Sequence, residues 1–555
     1  MTTSSVSSPQ GEARPRPYIK WVSRVLFGAA LVILLFHLSV YIAYAANLIA
    51  FPFDYDQGEG FELVDVMMFA EGRFPYQPTE SFPFYSSNYP PLFHIFPIPF
   101  MWVFGPQYWY GRLLAFIGTL ICAGIISYAV HRETQNRLIA VLSGLAFLAS
   151  NIVYHIGPLF RQHMTMVLFE TAAIVILANA VNVRQPGRRW RQIALGLGFI
   201  IAAGYTKQLA LFTAIGALVF LFIRNPRRAI IAGFAFGAVG IGIFAWLHFG
   251  TNGEWWRQAI AANVNEFYPD QMMGLFRLWW QLHSALIIPA VLLMVYELYF
   301  DRLSIYTVWF VASLANGVGS GAWGAGDSYF ATTIAATCIL SGIFFARTLA
   351  GGWHFPVDVY LSRLVRPLRP AAPALIAASM IVIPLLYVKY GRDTFKVPTN
   401  VPVYREIAGV LNLEPNAPRW AAEKTFYDSA GRLAGGYADI GHFTTQADID
   451  AGWHIVEMIR EAEQPVITED ASFNLLAGET VVTNPTQLRN LWLNGLYDGT
   501  ELIEMVENQE FAFIVYRAQF YPADFLEAVG ENYAPDEEAT VYMNGFEYII
   551  MRPKP

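Results

Sequence analysis

Long apolar runs recur through the first two thirds of this chain and leave little choice of fold. The first extends from Val25 to Ala50, and ten more follow at about 110–130, 138–156, 165–182, 192–206, 209–223, 229–249, 283–300, 304–322, 329–346 and 371–388. Segments this long and this poor in charge suit the ~30 Å hydrocarbon core of a bilayer. In lipid every backbone N–H and C=O needs an internal partner, so such runs are expected as helices. Composition agrees: 55% of the 555 residues are hydrophobic, 15% aromatic and only 14% charged, more apolar than a soluble core requires. The expected architecture is a polytopic α-helical membrane protein of about eleven spans.

Charge divides the chain into two physical objects. Residues 1–388 hold 24 Lys+Arg against 17 Asp+Glu, a net +7, whereas residues 389–555 hold 12 against 26, a net −14; together they give the overall −7. An acidic segment without long apolar runs reads as a water-soluble domain and is a poor match for nucleic acid. Within it, Val466 to Thr468, Thr480 to Thr483, Phe511 to Tyr516 and Glu547 to Met551 read as strands. Ile449, Trp453, Val456 and Ile459 share a helical face, and Asn484-Pro485 caps a helix through Leu493. The expected division is a cytoplasmic tail (1–24), a transmembrane domain (25–388) with a first external loop at 51–109, and an extracytoplasmic α/β domain (389–555).

The arginines orient the bundle. With the N-terminus inside, Arg132 and Arg137, then Arg184, Arg188, Arg189 and Arg191, then Arg224, Arg227 and Arg228, then Arg302, then Arg347, Arg363, Arg366 and Arg369 all fall in the cytoplasm. Adding Arg14, Arg16, Lys20 and Arg24 places 18 of the 24 basic residues inside, as positively charged loops prefer. This requires the apolar segment Pro90 to Gly105, which carries Pro97 and Pro99, to dip in or lie at the interface without crossing. The first run exceeds the apolar core of a cleaved signal peptide, despite the cleavage-like Ala43-Tyr44-Ala45, and reads as an uncleaved helix. Cys122 and Cys338 sit inside apolar runs and supply neither a disulfide framework nor a zinc cluster.

In this topology the unusual polar residues share one face. Directly after the first run comes an acidic knot, Asp54-Tyr55-Asp56-Gln57-Gly58-Glu59. Carboxylates at the mouth of a membrane helix are costly to desolvate and are usually placed there for chemistry or ion handling. An ionised Asp56 or Glu59, with Asp54 in reserve, suits a general base, and the same carboxylates also suit a divalent cation. On the same side lie Asn88 and Tyr89, Arg161 and His163, Lys207 and Gln208, and Asp327 and Tyr329. Trp255, Trp256, Trp279 and Trp280, in the external stretch 251–283, read as an interfacial belt or a sugar-stacking platform.

A first helix ending in acidic residues, then Ala70-Glu71-Gly72-Arg73-Phe74-Pro75-Tyr76, then Tyr89-Pro90-Pro91-Leu92 leading to Arg112, resembles the GT-C glycosyltransferases. The pattern is most similar to the protein O-mannosyltransferases and the lipid A aminoarabinose transferase branch. The resemblance implies an enzyme of the hexosyl- or pentosyltransferase type in the cell membrane. Its expected donor is a polyprenyl-phosphate sugar, with a lipid, glycan or protein acceptor and an acidic base in the first external loop. Transfer to an acceptor hydroxyl would be inverting, since a single displacement needs one base.

Two departures bear on roles. Many relatives have adjacent acidic residues, whereas Gln57 and Gly58 separate Asp56 from Glu59. The aminoarabinose branch often has a lysine where Tyr89 stands, so Lys207 or Arg161 must meet the lipid phosphate. Arg112 and His163 are further substrate-binding candidates, and in the family the region of Asp327 and Tyr329 borders the lipid-phosphate or acceptor cavity. The alternative from another class is a transporter or flippase of lipid-linked sugars, against which stand the absence of a sequence repeat and the one-sided polar residues.

Overall fold

The computed structural model describes residues 16–357, 359–394, 397–398, 401–410, 415–416, 426–427, 433–434 and 442–555, so Arg14 of the basic tail lies outside the described residues. Each of the eleven apolar runs is helical. α1 (Pro17–Ala50) leads to α2 (Glu59–Ala70), to two short helices, α3 (Leu92–Ile95) and α4 (Ile98–Phe104), and then to α5 (Trp109–Thr134). There follow α6 (Arg137–Ala149), α7 (Asn151–Ile156), α8 (His163–Asn182), α9 (Pro186–Thr206), α10 (Leu211–Arg224) and α11 (Pro226–Gly250). α12 (Pro269–Phe300), α13 (Ile305–Gly319), α14 (Ala331–Leu349), α15 (Ser362–Val365) and α16 (Ala372–Thr394) complete the bundle.

Seven helical segments, in α1, α5, α8, α11, α12, α14 and α16, are long and apolar enough to cross a membrane. α14 is the central one: it packs against α5, α6, α8, α12, α13 and α16, and 89% of its apolar window is buried. The segment from Pro90 to Gly105 is divided between two short helices. α3 and α4 have four and seven residues, at most ~10 Å each at 1.5 Å per residue, and both lie along α2. Trp102, Val103 and Phe104 face outward there.

One expectation needs correction. The stretch 251–283 is a loop only in its first part, because α12 begins at Pro269 and carries Trp279 and Trp280 as helical residues. Trp279 is buried and stacks on Phe330, with ring centroids 5.5 Å apart, so it is core and not part of a belt or platform.

Residues 442–555 form a small α/β unit at one end of the bundle. Strands Val466–Thr468 and Phe513–Tyr516 pair in parallel, and the latter pairs antiparallel with Phe546–Pro553. All residues of the parallel pair are buried, which explains their unbroken apolar character. Val541–Met543 pairs with Phe546–Pro553 through the two-residue turn Asn544-Gly545, both at positive φ (53° and 80°), the backbone that a tight hairpin demands. Thr480 to Thr483 is not a strand of this sheet; Thr483 makes only an isolated bridge to Phe84, so its β-rich composition serves a contact with the first loop. The helix Gln446–Arg460 opens with a capping box from Thr445 and Asp448, and Asn484 caps Pro485–Leu493.

Candidate active site

The acidic knot turns directly into α2, whose helical period aligns the acids that come after it. Glu59, Glu62 and Asp65, three residues apart, share one face, and all three are buried. Each carboxylate finds a different partner.

Glu59 is held by Arg112, whose Nε lies 3.0 Å from Oε1 and whose Nη2 lies 2.8 Å from Oε2. The backbone N–H groups of Phe160 and Tyr55 donate to the same carboxylate at 2.6 and 3.0 Å. Burial opposes ionisation of Glu59, but Arg112 and these donors outweigh it and hold the carboxyl below its ordinary range. The remaining N–H groups of Arg112 donate to the carbonyls of Leu48, Phe51 and Phe53 at 2.6, 2.5 and 2.7 Å. A guanidinium has five N–H donors, and all five are used inside the protein. Arg112 is fully buried; it braces the end of α1 and has no donor left for a substrate, contrary to the role suggested by the sequence.

Asp54 is a second brace. Its carboxylate accepts from the N–H of Gly60 at 2.5 Å, the N–H of Ser472 at 2.9 Å and the Tyr108 hydroxyl at 3.0 Å, tying the first loop to the C-terminal unit. Burial, with Asp470 close by, pushes the pKa of Asp54 up to about 8.

Asp56 differs from both. Its Oδ2 lies 3.3 Å from Nε of Arg161, while its Oδ1 is buried without a hydrogen-bond partner. Burial raises its pKa, and Arg161 partly offsets that rise. Of the three candidate bases, Asp56 alone keeps an oxygen for a proton. Arg161 also approaches Glu62, with Nη1 3.7 Å from Oε1.

Beyond Arg161 lies an aromatic floor with a buried lysine, Lys207, whose pKa burial and the nearby Arg161 push well below the ordinary lysine value. The Tyr89 ring has Arg161 Cζ 5.8 Å and Lys207 Nζ 4.8 Å from its centroid, and Lys207 lies 5.7 Å from the Tyr329 centroid. Lys207 Nζ is 2.6 Å from His163 Nε2, which also meets the Ser328 hydroxyl at 3.2 Å. Lys207 follows the last residue of α9 and His163 opens α8. Helix ends from three parts of the bundle therefore bring Asp56, Tyr89, Arg161, His163, Lys207 and Tyr329 to one place, with Asp327 next to Ser328. Gln208 turns away, donating to the Ala259 carbonyl at 2.8 Å, and the Asn88 carbonyl accepts from Asn263 at 3.3 Å.

Several residues of this region escaped sequence reading. Glu62 meets His94 at 2.6 Å, and Asp65 accepts from Tyr85 and Ser87 at 2.8 and 2.5 Å. Burial raises the pKa of Asp65 to about 6, against the pull of His94. The spacing of acids along α2 was the available signal. From the C-terminal unit, Arg517 pairs with Asp470 at 3.1 Å and donates to the Tyr55 carbonyl at 3.0 Å, reaching the middle of the acidic knot. Glu469 accepts four successive backbone N–H groups, from Arg517 to Phe520, which shapes the turn that presents Arg517. Among the described residues no group of three or more His, Cys, Asp or Glu side chains is placed to hold a metal ion.

Residues 88–248 match the family model described as dolichyl-phosphate-mannose-protein mannosyltransferase. No curated protein matches the chain. Among solved structures, ArnT from Cupriavidus metallidurans in the apo state is similar over 94% of this chain and 98% of that one, with TM-score 0.51 and 12% identity. The same protein bound to undecaprenyl phosphate gives TM-score 0.48 at 13% identity over 94% and 98% of the two chains. The oligosaccharyltransferase of Archaeoglobus fulgidus gives 0.48 at 12% identity, over 92% of this chain and 73% of that one. At 12% identity the likeness to apo ArnT is one of fold, and the fold is GT-C.

Proposed function

We propose that this protein is a membrane glycosyltransferase that moves a sugar from a polyprenyl-phosphate donor to an acceptor hydroxyl, with Asp56 as the base. The observation that carries this reading is the contact of Asp56 with Arg161: a carboxylate with one oxygen unengaged, 3.3 Å from a cation. That cation shares the Tyr89 ring with Lys207. The match of residues 88–248 to a family named for dolichyl-phosphate-mannose supports the donor class.

In the proposed step Asp56 Oδ1 takes the hydroxyl proton while the acceptor oxygen bonds to the anomeric carbon. The anomeric C–O bond to phosphate breaks, and its electron pair leaves on polyprenyl phosphate. Arg161 and Lys207 offset the negative charge that grows on that phosphate in a water-poor site, where such stabilisation is large. One displacement inverts the anomeric carbon. The arginine-rich loops gather at the other end of the bundle, which supports a site facing outside and a cytoplasmic N-terminus. The unit 442–555 would then cover the site and meet the acceptor.

The test is to incubate the purified full-length protein with a panel of labelled polyprenyl-phosphate hexoses and pentoses and measure release of polyprenyl phosphate. Release by the native protein and its loss in Asp56→Asn is the expected result. Movement of lipid-linked sugar across vesicles with no release from any donor would instead identify a flippase.

A further inference from the structure

The end of the bundle opposite Asp56 holds a recess of about 450 Å³ between the last turns of α5 and α8 and the first turns of α9. Arg132, Arg184 and Arg188 line it, with Tyr128, Asn179 and Gln192. No carboxylate occurs among the described residues that line it. Three other arginines at this end have partners within the protein: Arg189 on the Val183 carbonyl at 2.8 Å, Arg224 on the Leu303 carbonyl at 2.5 Å, and Arg347 on Asp301 at 3.4 Å. In the recess Arg132 Nη1 is a buried donor without a partner, as is Nε of Arg224 elsewhere at this end, and Asn179 Oδ1 and Gln192 Oε1 are buried acceptors without partners.

A preference for basic loops on one side of a membrane explains scattered arginines but needs no cavity. Three arginines lining one recess within the usual size range of ligand pockets, Arg132 half-buried and Arg184 and Arg188 exposed at its rim, ask for an anion. The first turn of α9, starting at Pro186, adds the partial positive charge of a helix N-terminus. The unpartnered carboxamide oxygens ask for a hydroxyl donor beside that anion.

We propose that this recess binds a hydroxyl-bearing phosphate ester, supplied by an anionic lipid headgroup or by a soluble phosphate compound. The guanidiniums take the phosphate oxygens, and Asn179 and Gln192 accept from the hydroxyls.

The test uses the full-length protein in two arms. In nanodiscs of phosphatidylcholine with phosphatidylglycerol, native mass spectrometry counts retained phosphatidylglycerol; in phosphatidylcholine alone, glycerol 3-phosphate is titrated. The variant Arg132→Gln/Arg184→Gln/Arg188→Gln is compared with Arg227→Gln/Arg228→Gln/Arg302→Gln, which removes equal charge elsewhere at the same end. Retention of one phosphatidylglycerol by the native protein and the control, reduced at least tenfold in the first variant, assigns the site to lipid. Saturable glycerol 3-phosphate binding lost only in the first variant assigns it to a soluble ester. Equal behaviour of both variants, or no saturable binding in either arm, overturns the proposal. Should the triple variant fail to fold, Arg188→Gln, at an exposed position, is expected to weaken the same binding severalfold, and native-like binding would count against the site.

Discussion

The guanidinium of Arg161 occupies the space that a side chain on Gly58 would need: a Cβ there would stand 1.4 Å from Nη1 and 2.4 Å from Cζ. The backbone does not demand glycine, since Gly58 has φ −83° and ψ −8°, values any residue adopts. Glycine is there for room. It separates Asp56 from Glu59 and lets Arg161 lie over the loop between Asp56 and Glu62. Gly58→Ala is therefore expected to expel Arg161 and mimic Arg161→Ala, each lowering turnover about 10²-fold, the scale of losing one charge-stabilising group. Transfer assays on both and on the double variant check this. The double should be no worse than either single, and native turnover in Gly58→Ala would sever the link.

Asp56 and Glu59 should respond to amide substitution in opposite ways. Glu59→Gln leaves the buried Arg112 charge without its partner, a change worth about 3–5 kcal/mol of stability, so the melting temperature should drop sharply. Asp56→Asn should leave melting nearly unchanged and lower turnover by about 10²–10⁴-fold, the range of a lost general base. Thermal unfolding and initial rates on the two variants separate the roles. A stable, inactive Glu59→Gln beside an active Asp56→Asn would exchange them.

These contrasts show what the sequence could reveal. Each of the eleven runs proved helical because lipid admits few alternatives, and the acidic knot stood out because charges are rare beside such runs. Sequence alone did not distinguish Asp54 and Glu59 from Asp56, since that depends on which donors fold against each carboxylate: Ser472, Tyr108, Arg112 and Phe160, at least 53 residues away in sequence. Glu62 and Asp65 were legible in part, because acids at every third residue of a helix share a face. Asn544-Gly545 likewise announces a hairpin. Arg517 was not legible, because nothing local to it points to Tyr55, 462 residues earlier.

Turnover should depend on pH through Asp56. A base works only when ionised, and burial raises the pKa of Asp56 while Arg161 lowers it. The acidic limb of kcat/KM should therefore lie above the ordinary aspartate range of about 3.9, with activity rising as pH rises through it. Arg161→Gln removes the lowering influence, so the limb of its residual activity should move further upward. The pH–rate profiles of the two proteins decide this. A limb that stays in place or moves down would mean that Asp56 is not the group being titrated.

The Arg517–Asp470 pair should couple the C-terminal unit to the base. Arg517 holds Asp470 at 3.1 and 3.2 Å, stacks 3.9 Å from the Phe546 ring centroid, and donates to the Tyr55 carbonyl. Arg517→Gln leaves the Asp470 carboxylate buried near Asp54 without its counter-charge, a destabilisation of about 3–5 kcal/mol. Removing both charges in Arg517→Gln/Asp470→Asn relieves that strain, so melting temperature and protease resistance of residues 442–555 should largely recover. Turnover should recover less, because Arg517 also supports the loop at Tyr55 and that contact does not return in the double variant, while the lost lowering of the Asp56 pKa by Arg517 is opposed by the lost raising by Asp470. A double variant restored equally in stability and turnover would confine Arg517 to holding the fold, whereas recovery of stability alone would join it to the chemistry at Asp56.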